Sequence, residues 1–338
     1  MPVLKLLIFF SSFFSDTENN YSLELKENIS LEENKLSTSN RGPFSEFIFL
    51  DEYFVNYTTS PEIIILYDYE GKQKRTIGNQ GEGPGEYTTV YDLFNKNHNI
   101  VAFSQGGRII KFNLYGDVVE EYSYHGHDPL KAIIRDNVVY YIESDFLHEN
   151  HIQYENLVSD EEGEFFRNLS REDIWLRVGH YGDNLTLSQG DCLVWVPPAQ
   201  KIIYRSCQSV ENFDKFEFES DLYRDDVLTA TDDELIRDIE TLNEFVTNRS
   251  AATRIFELDN KWVVELYHNH IPNMELILLD KDFEQLGNII LDEEFRDTYG
   301  GAVGSRDNTL YYYYEDQGED QKLTKNLHGF RITKVWDY

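Results

Sequence analysis

The sequence predicts an all-β protein, a six-bladed β-propeller carrying one helical insertion, and three observations lead there. Turn signals recur along the chain at roughly the 40–50-residue spacing of four-stranded blades. The intervals between them hold short apolar runs of strand length. Aromatic residues make up 14% of the 338 residues, with 23 Tyr and 22 Phe, and flat side chains of this kind pack well between pleated sheets.

Taken in order, the chain opens on a candidate targeting segment, residues 1–20. Lys5 precedes the apolar run Leu6-Leu7-Ile8-Phe9-Phe10-Ser11-Ser12-Phe13-Phe14, which has the length of a signal h-region and is too short to span a bilayer. No small-x-small cleavage site follows cleanly, and no lipobox cysteine is present. Residues 21–338 read as a single propeller domain. Ile29-Ser30-Leu31-Glu32 alternates as a short strand would, and Phe47 to Val55 gives two apolar runs split by Asp51-Glu52. Ile63 to Asp68, a turn at Gly71, and Gln73 to Ile77 complete the first unit.

The next stretch holds Gly78, Gly81, Gly83, Pro84 and Gly85 close together, followed by Glu86 and Tyr87. Such a run fits neither a helix interior nor a central strand. It is expected to be a structural link between blades, with Glu86 capping backbone N–H groups. Tyr91 to Phe103 begins the second unit. Further turns are expected at Gly116, at Gly163, at Arg205-Ser206-Cys207 and at Asp280-Lys281-Asp282.

The last interval is long, so residues 231–249 are an insertion after the fourth blade. Thr231-Asp232-Asp233-Glu234 is a capping box. Leu235, Ile236, Ile239, Leu242, Phe245 and Val246 follow at helical spacing, which predicts one helix over 232–247 with its apolar stripe on the propeller. Residues 297–338 supply too few strands for a blade. The missing one is assigned to residues 28–37, closing the ring and removing an exposed edge.

The run Ile77 to Tyr87, following an apolar strand and a Gly-Lys turn at residues 71–72, resembles the six-bladed β-propeller proteins of Bacteroidetes-like bacteria. These are similar in pattern to NHL-repeat and TolB-like propellers. Asn99 to Phe103 and Arg108 to Asp117 look like that family's second blade, and the resemblance spans roughly residues 47–123. It implies an architecture and an extracytoplasmic compartment more than a chemistry.

Thirty Lys and Arg stand against 62 Asp and Glu, a formal charge of −32. Such a surface repels nucleic acid and anionic headgroups and suits cationic ligands, divalent ions or basic protein surfaces. The Gly81–Glu86 loop lacks the Lys-Ser/Thr of a phosphate-binding loop. His125-Gly126-His127 and His268-Asn269-His270 place two imidazoles on one face if extended, with Asp128 or Glu265 as third-ligand candidates. Asp221, Asp225, Asp226, Asp232 and Asp233 offer oxygen ligands to calcium, without the order of an EF-hand. Trp175, Trp195, Trp262 and Trp336 are expected in packing roles rather than as a carbohydrate platform.

Cys192 and Cys207 flank a hairpin turning at Pro197-Pro198-Ala199-Gln200, which puts them face to face within reach of a disulfide. Neither a Gly-x-Ser-x-Gly elbow nor a His-Glu-x-x-His motif occurs, so no catalytic residue and no metal ligand set is assigned. The expected function is that of a non-enzymatic extracytoplasmic binding or scaffold protein. It would engage a protein, peptide or glycan at a mouth of the propeller channel, with no nucleic acid and no membrane span. The alternative is a metal-assisted hydrolase or lyase of the lactonase-like propeller kind.

Overall fold

The computed structural model describes residues 21–31, 47–59, 62–125, 129–143, 152–159, 161–166, 170–178, 185–207, 212–225, 228–317 and 323–334. Six four-stranded antiparallel sheets follow one another along the chain. Blade 1 comprises Phe47–Phe49, Tyr53–Thr59, Glu62–Asp68 and Gln73–Ile77. Blade 2 comprises Val90–Lys96, Asn99–Ser104, Arg108–Phe112 and Val118–Ser123. Blade 3 comprises Pro129–Arg135, Val138–Glu143, Ile152–Asn156 and Glu162–Phe166. Blade 4 comprises Leu185–Leu187, Leu193–Trp195, Ile202–Ser206 and Asp214–Glu217. Blade 5 comprises Ser250–Leu258, Lys261–His268, Asn273–Leu279 and Gln285–Leu291. Blade 6 takes Ala302–Arg306, Thr309–Gln317 and Leu323–Lys334 from the end of the chain and Tyr21–Ser30 from its beginning. The first strand of each blade touches the first strands of both neighbours, blade 6 against blade 1 included. These six strands therefore ring the central channel.

Among the described residues the core is not one cluster but seven, six of them each lying between two blades and one under the helices. Alternation explains it, because successive side chains of a strand point to opposite faces. In the third strand of blade 1, Ile64 and Leu66 pack toward blade 2 with Val90, Ala102 and Ile110. Ile65 and Tyr67 pack the other way, toward blade 6 with Val303, Tyr311 and Leu327. A strand buried on both faces reads as a continuous apolar run, which is what Ile63 to Tyr67 is.

Ring closure occurs through an N-terminal strand, as the strand deficit requires, but at residues 21–30 rather than 28–37. Tyr21 stands opposite Lys334 and Ser30 opposite Asn326; residues 32–37 lie outside the described residues. The turns at Gly71, Gly116 and Asp280-Lys281-Asp282 join the third and fourth strands of their blades. Gly163 is inside a strand, opposite Tyr154, and the turn precedes it. Arg205 and Ser206 are likewise strand residues. Gly163 reads as a turn because its outer strand is polar and faces solvent, whereas Arg205 and Ser206 belong to the third strand of blade 4, where Ser206 is buried.

Four helices lie on blade-to-blade connections: α1 (Arg171–Val178), α2 (Asp232–Arg237), α3 (Ile239–Thr247) and α4 (Glu293–Tyr299). The expected helix over 232–247 is thus two. Thr231 caps α2 in a reciprocal capping box with Glu234. Asp238 then leaves helical geometry and caps α3 by accepting from Glu240 N at 3.0 Å. The break rotates the stripe. Leu235 and Leu242 pack with Trp175 of α1 and with Leu228, while Ile236 and Ile239 are 55% and 65% exposed.

Candidate functional site

In a ring of identically wound blades, all turns between first and second strands gather at one end of the channel. There the chain places Asp51-Glu52, Asn97-His98, Asp136-Asn137, Gly190-Asp191, Asp259-Asn260 and Asp307-Asn308. The carboxylates of Asp51, Glu52, Asp136, Asp191, Asp259 and Asp307 are all on exposed residues. Asn97, His98, Asp136, Asp191 and Asp307 have φ between 52° and 62°, the left-handed region that tight two-residue hairpins demand and that Asn and Asp tolerate best. Turn geometry and acidity thus come from the same residues. The recurring Asp-Asn pair was the sequence signal for this mouth; of the turns read from sequence, Asp51-Glu52 lies here, while Gly71, Gly116 and Asp280-Lys281-Asp282 lie at the outer hairpins. Lys96 is the basic residue beside Asp136, donating to its carbonyl at 2.9 Å. Burial lowers the Lys96 pKa, against the opposing field of Asp136.

The Gly78–Tyr87 link stands away from that mouth, between blades 1 and 2. Asn79-Gln80 and Glu86-Tyr87 form a short parallel pair. Glu86 accepts from Gly83 N at 2.9 Å, and Tyr87 Oη donates to Ile77 O at 3.2 Å while accepting from Ile64 N at 3.1 Å. Gly85 N donates to Glu121 at 2.7 Å, and Arg108 holds both Glu121 and the carbonyl of Gly83. Pro84 sits at the tip of this closed circuit. The loop's donors at Gly81, Gly83 and Gly85 are taken by the Tyr87 carbonyl, Glu86 and Glu121 rather than left for an incoming anion.

The two histidine pairs separate. Among the described residues His125 lies near Glu155 and Glu162 of blade 3; Gly126, His127 and Asp128 are outside them. His268 is fully buried, with Nδ1 2.7 Å from Ser250 Oγ and Nε2 2.9 Å from Glu275. Glu265 does not join it. Three positions apart on one strand, the two point to opposite faces, and Glu265 belongs to the seam with blade 6.

Ser250, His268 and Glu275 have the connectivity of a hydrolase triad, but 1% of Ser250 and none of His268 or Glu275 is exposed. Ser250 Oγ accepts Arg224 N at 2.9 Å, and Glu275 also receives Ser220 Oγ and Asn288 Nδ2, each at 2.5 Å. The network fastens residues 220–224, on the connection that leaves blade 4, to blade 5. A nucleophile needs room for substrate, and here that space is backbone.

The Asp cluster is dispersed as well. Asp232 accepts from Trp175 Nε1 and Arg171 Nε, both at 2.7 Å, and these bonds hold its pKa low. Asp233 pairs with Arg237; Asp221 and Asp225 are exposed, and Asp226 lies outside the described residues. Trp195 and Trp262 are in inter-blade cores, Trp175 lies under the insertion, and Trp336 is outside the described residues. Cys192 and Cys207 face one another with Cα atoms 4.1 Å apart and sulfurs at bonding distance, 2.03 Å.

No helix among the described residues is long and apolar enough to cross a membrane. No curated protein matches the sequence. A member of the DUF4221 family from Bacteroides vulgatus has a similar structure, with TM-score 0.67 and 11% identity over 94% of this chain and 100% of its own. A Bacteroides fragilis protein whose name proposes that it is exported is similar with TM-score 0.63 and 12% identity, over 94% of this chain and 96% of its own. At such identities the likeness concerns the fold. The model of the DUF5128 family, described as a 6-bladed beta-propeller, matches residues 17–305, and the chain belongs to that family.

Proposed function

We propose that this propeller is a non-catalytic extracytoplasmic binding protein that takes a basic peptide or protein segment at the acidic channel mouth. The observation that carries the reading is the set of exposed carboxylates on the first turns of blades 1, 3, 4, 5 and 6, turns that the winding places at one end of the ring. Carboxylates converging on a rimmed opening focus negative potential there and raise the local concentration of cationic ligands. Loops on a rigid ring suit recognition because the scaffold fixes their spacing. The burial of the Ser250–His268–Glu275 network supports binding over hydrolysis. Export is supported by the apolar run at residues 6–14 and by the name of the Bacteroides fragilis neighbour.

The test is a titration of Lys/Arg-rich, neutral and glycan probes against the wild type and against Asp136→Asn/Asp259→Asn/Asp307→Asn. Binding of the basic probe alone, weakened by salt and by the triple substitution, is expected. Salt-insensitive binding, or binding untouched by the substitution, overturns the proposal.

A further inference from the structure

At four of the six seams the described residues show an outer strand ending against the outer hairpin of the next blade. Gly71 lies against the carbonyl of Ser30 at the junction of blades 6 and 1, and Gly116 against the backbone of Thr76 to Gly78 at that of blades 1 and 2. Between blades 4 and 5 the Gln285 amide exchanges two hydrogen bonds with the backbone of Glu219, at 2.8 and 3.0 Å. Backbone packing and amide bonds serve at these three places. The junction of blades 2 and 3 is built differently, from an imidazole and two carboxylates.

His125 follows the outer strand of blade 2. Its Nδ1 lies 3.1 Å from Glu155 Oε1 and 3.9 Å from Glu162 Oε2, and one ligand atom from each of the three residues falls within 4.8 Å of the others. Two features of this arrangement call for a cation. Glu155 and Glu162 are directly opposed on neighbouring strands, and like charges in that relation repel. The Glu155 side chain is only 2% exposed, yet among the described residues its partners are the His125 backbone N–H at 2.7 Å and the His125 imidazole. A buried carboxylate without a fixed positive charge is costly.

We infer that His125, Glu155 and Glu162 form a binding site for a first-row divalent cation of the zinc class, which clamps blade 2 to blade 3. Ligand atoms around a tetrahedral ion at about 2.0–2.1 Å stand roughly 3.3 Å apart, and the two separations from Nδ1 bracket that value. One nitrogen and two oxygens suit zinc or manganese, whereas calcium prefers oxygen alone. Three protein ligands leave a position for water. The His125 and Glu162 side chains are 71% and 66% exposed, so the ion has an entry path and Glu155 forms the buried floor.

The experiment uses the full chain, stripped with chelator and titrated with Zn²⁺ alone by calorimetry, with a melting curve at each end point. One ion per chain and a raised melting midpoint are expected. His125→Ala and Glu162→Gln change exposed side chains, so both should fold, and each should weaken binding by at least about tenfold. Co²⁺ should bind with visible d–d absorption that is lost in His125→Ala. Failure of Zn²⁺ to bind, affinity unchanged in both variants, or a preference for Ca²⁺ over Zn²⁺ would each overturn the inference.

Discussion

The buried carboxylate of Glu265 in blade 5 accepts the backbone N–H of Ala302 in blade 6 at 2.8 Å. The relation recurs: Asp92 of blade 2 accepts Ala132 N of blade 3, Asp173 of α1 accepts Ala199 N of blade 4, and Glu257 of blade 5 accepts Gln189 N of blade 4, at 2.6–2.7 Å. A chain with twice as many acids as bases cannot pair its blades by salt bridges throughout. It also uses carboxyl oxygens as acceptors for backbone donors across the seams, which leaves those donors satisfied where they are buried.

Glu265→Ala should leave the Ala302 N–H without a partner. An unsatisfied buried donor costs about 1–3 kcal/mol, so the urea midpoint should fall with little change in slope. Glu265→Gln keeps an acceptor and should cost less. Burial raises the Glu265 pKa despite the opposing Arg254, so its share of stability is greatest below the unfolded pKa and fades as pH rises through the folded one. The glutamine variant should accordingly lose less at pH 7 than at pH 4. Equal costs for Ala and Gln would refute the clip.

Gly85→Ala tests the link between blades 1 and 2. Gly85 has φ 72°, and a Cβ there would lie 2.5 Å from Val118 Cγ2. Strain of this kind costs on the order of 1–3 kcal/mol. Affinity of the folded fraction for a basic probe should not change, because the link stands away from the acidic mouth. A loss of affinity at unchanged stability would place the site in this loop instead.

Alkali should unfold the protein through its tyrosines. Burial pushes the Tyr69 pKa up to about 12, and burial likewise raises Tyr223, Tyr311 and Tyr312. A raised folded pKa means stability that is intact below the unfolded value near 10 and is lost as pH climbs through the folded values. Denaturation midpoints should therefore hold steady up to about pH 9 and drop steeply between 10 and 12. A flat profile across that window would show that these hydroxyls ionise without unfolding.

Cys192 and Cys207 are separated by 15 residues, and bridging such a loop stabilises by about 3 kcal/mol in the chain-entropy account. Intact mass under non-reducing conditions should be two hydrogens below the reduced mass, and reductant should lower the melting midpoint. Two alkylatable thiols in the untreated protein would mean that no bridge forms. The pairing was legible because Leu193, Val194 and Trp195 stand opposite Ser206, Arg205 and Tyr204, a register fixed by the turn between them.

What could be read from sequence was whatever depends on local pattern. Ile63 to Asp68 announced a strand, and Thr231 with Glu234 announced a helix start. Seam partners were not legible, since Glu155 and His125 are 30 residues apart and meet only because two blades are wound alike. The acidic mouth was hidden for another reason. Asp136-Asn137, Asp259-Asn260 and Asp307-Asn308 look like ordinary polar turns until the ring brings them to one end. The insertion failed at Asp238, where a helix-compatible residue caps the next helix rather than extending the last.

The closure of blade 6 yields the last prediction. The strand Tyr21–Ser30 covers the edge of Leu323–Lys334, buries Ile29 in the core between blades 6 and 1, and presents Glu27 to Tyr311 Oη at 2.8 Å and to Arg306 at 3.5 Å. Arg306 in turn lies over the ring of Tyr69 in blade 1, 3.7 Å from its centroid. Removing residues 1–31 takes away an edge strand, a core side chain and the anchor of a cation–π contact at once. An uncovered edge also invites pairing with another chain. The truncated protein should melt markedly lower and self-associate, and a synthetic peptide of residues 21–31 should restore both the melting midpoint and the monodisperse state. Deletion without effect, or a peptide that binds without restoring stability, would mean that the ring is held shut by blades 6 and 1 alone.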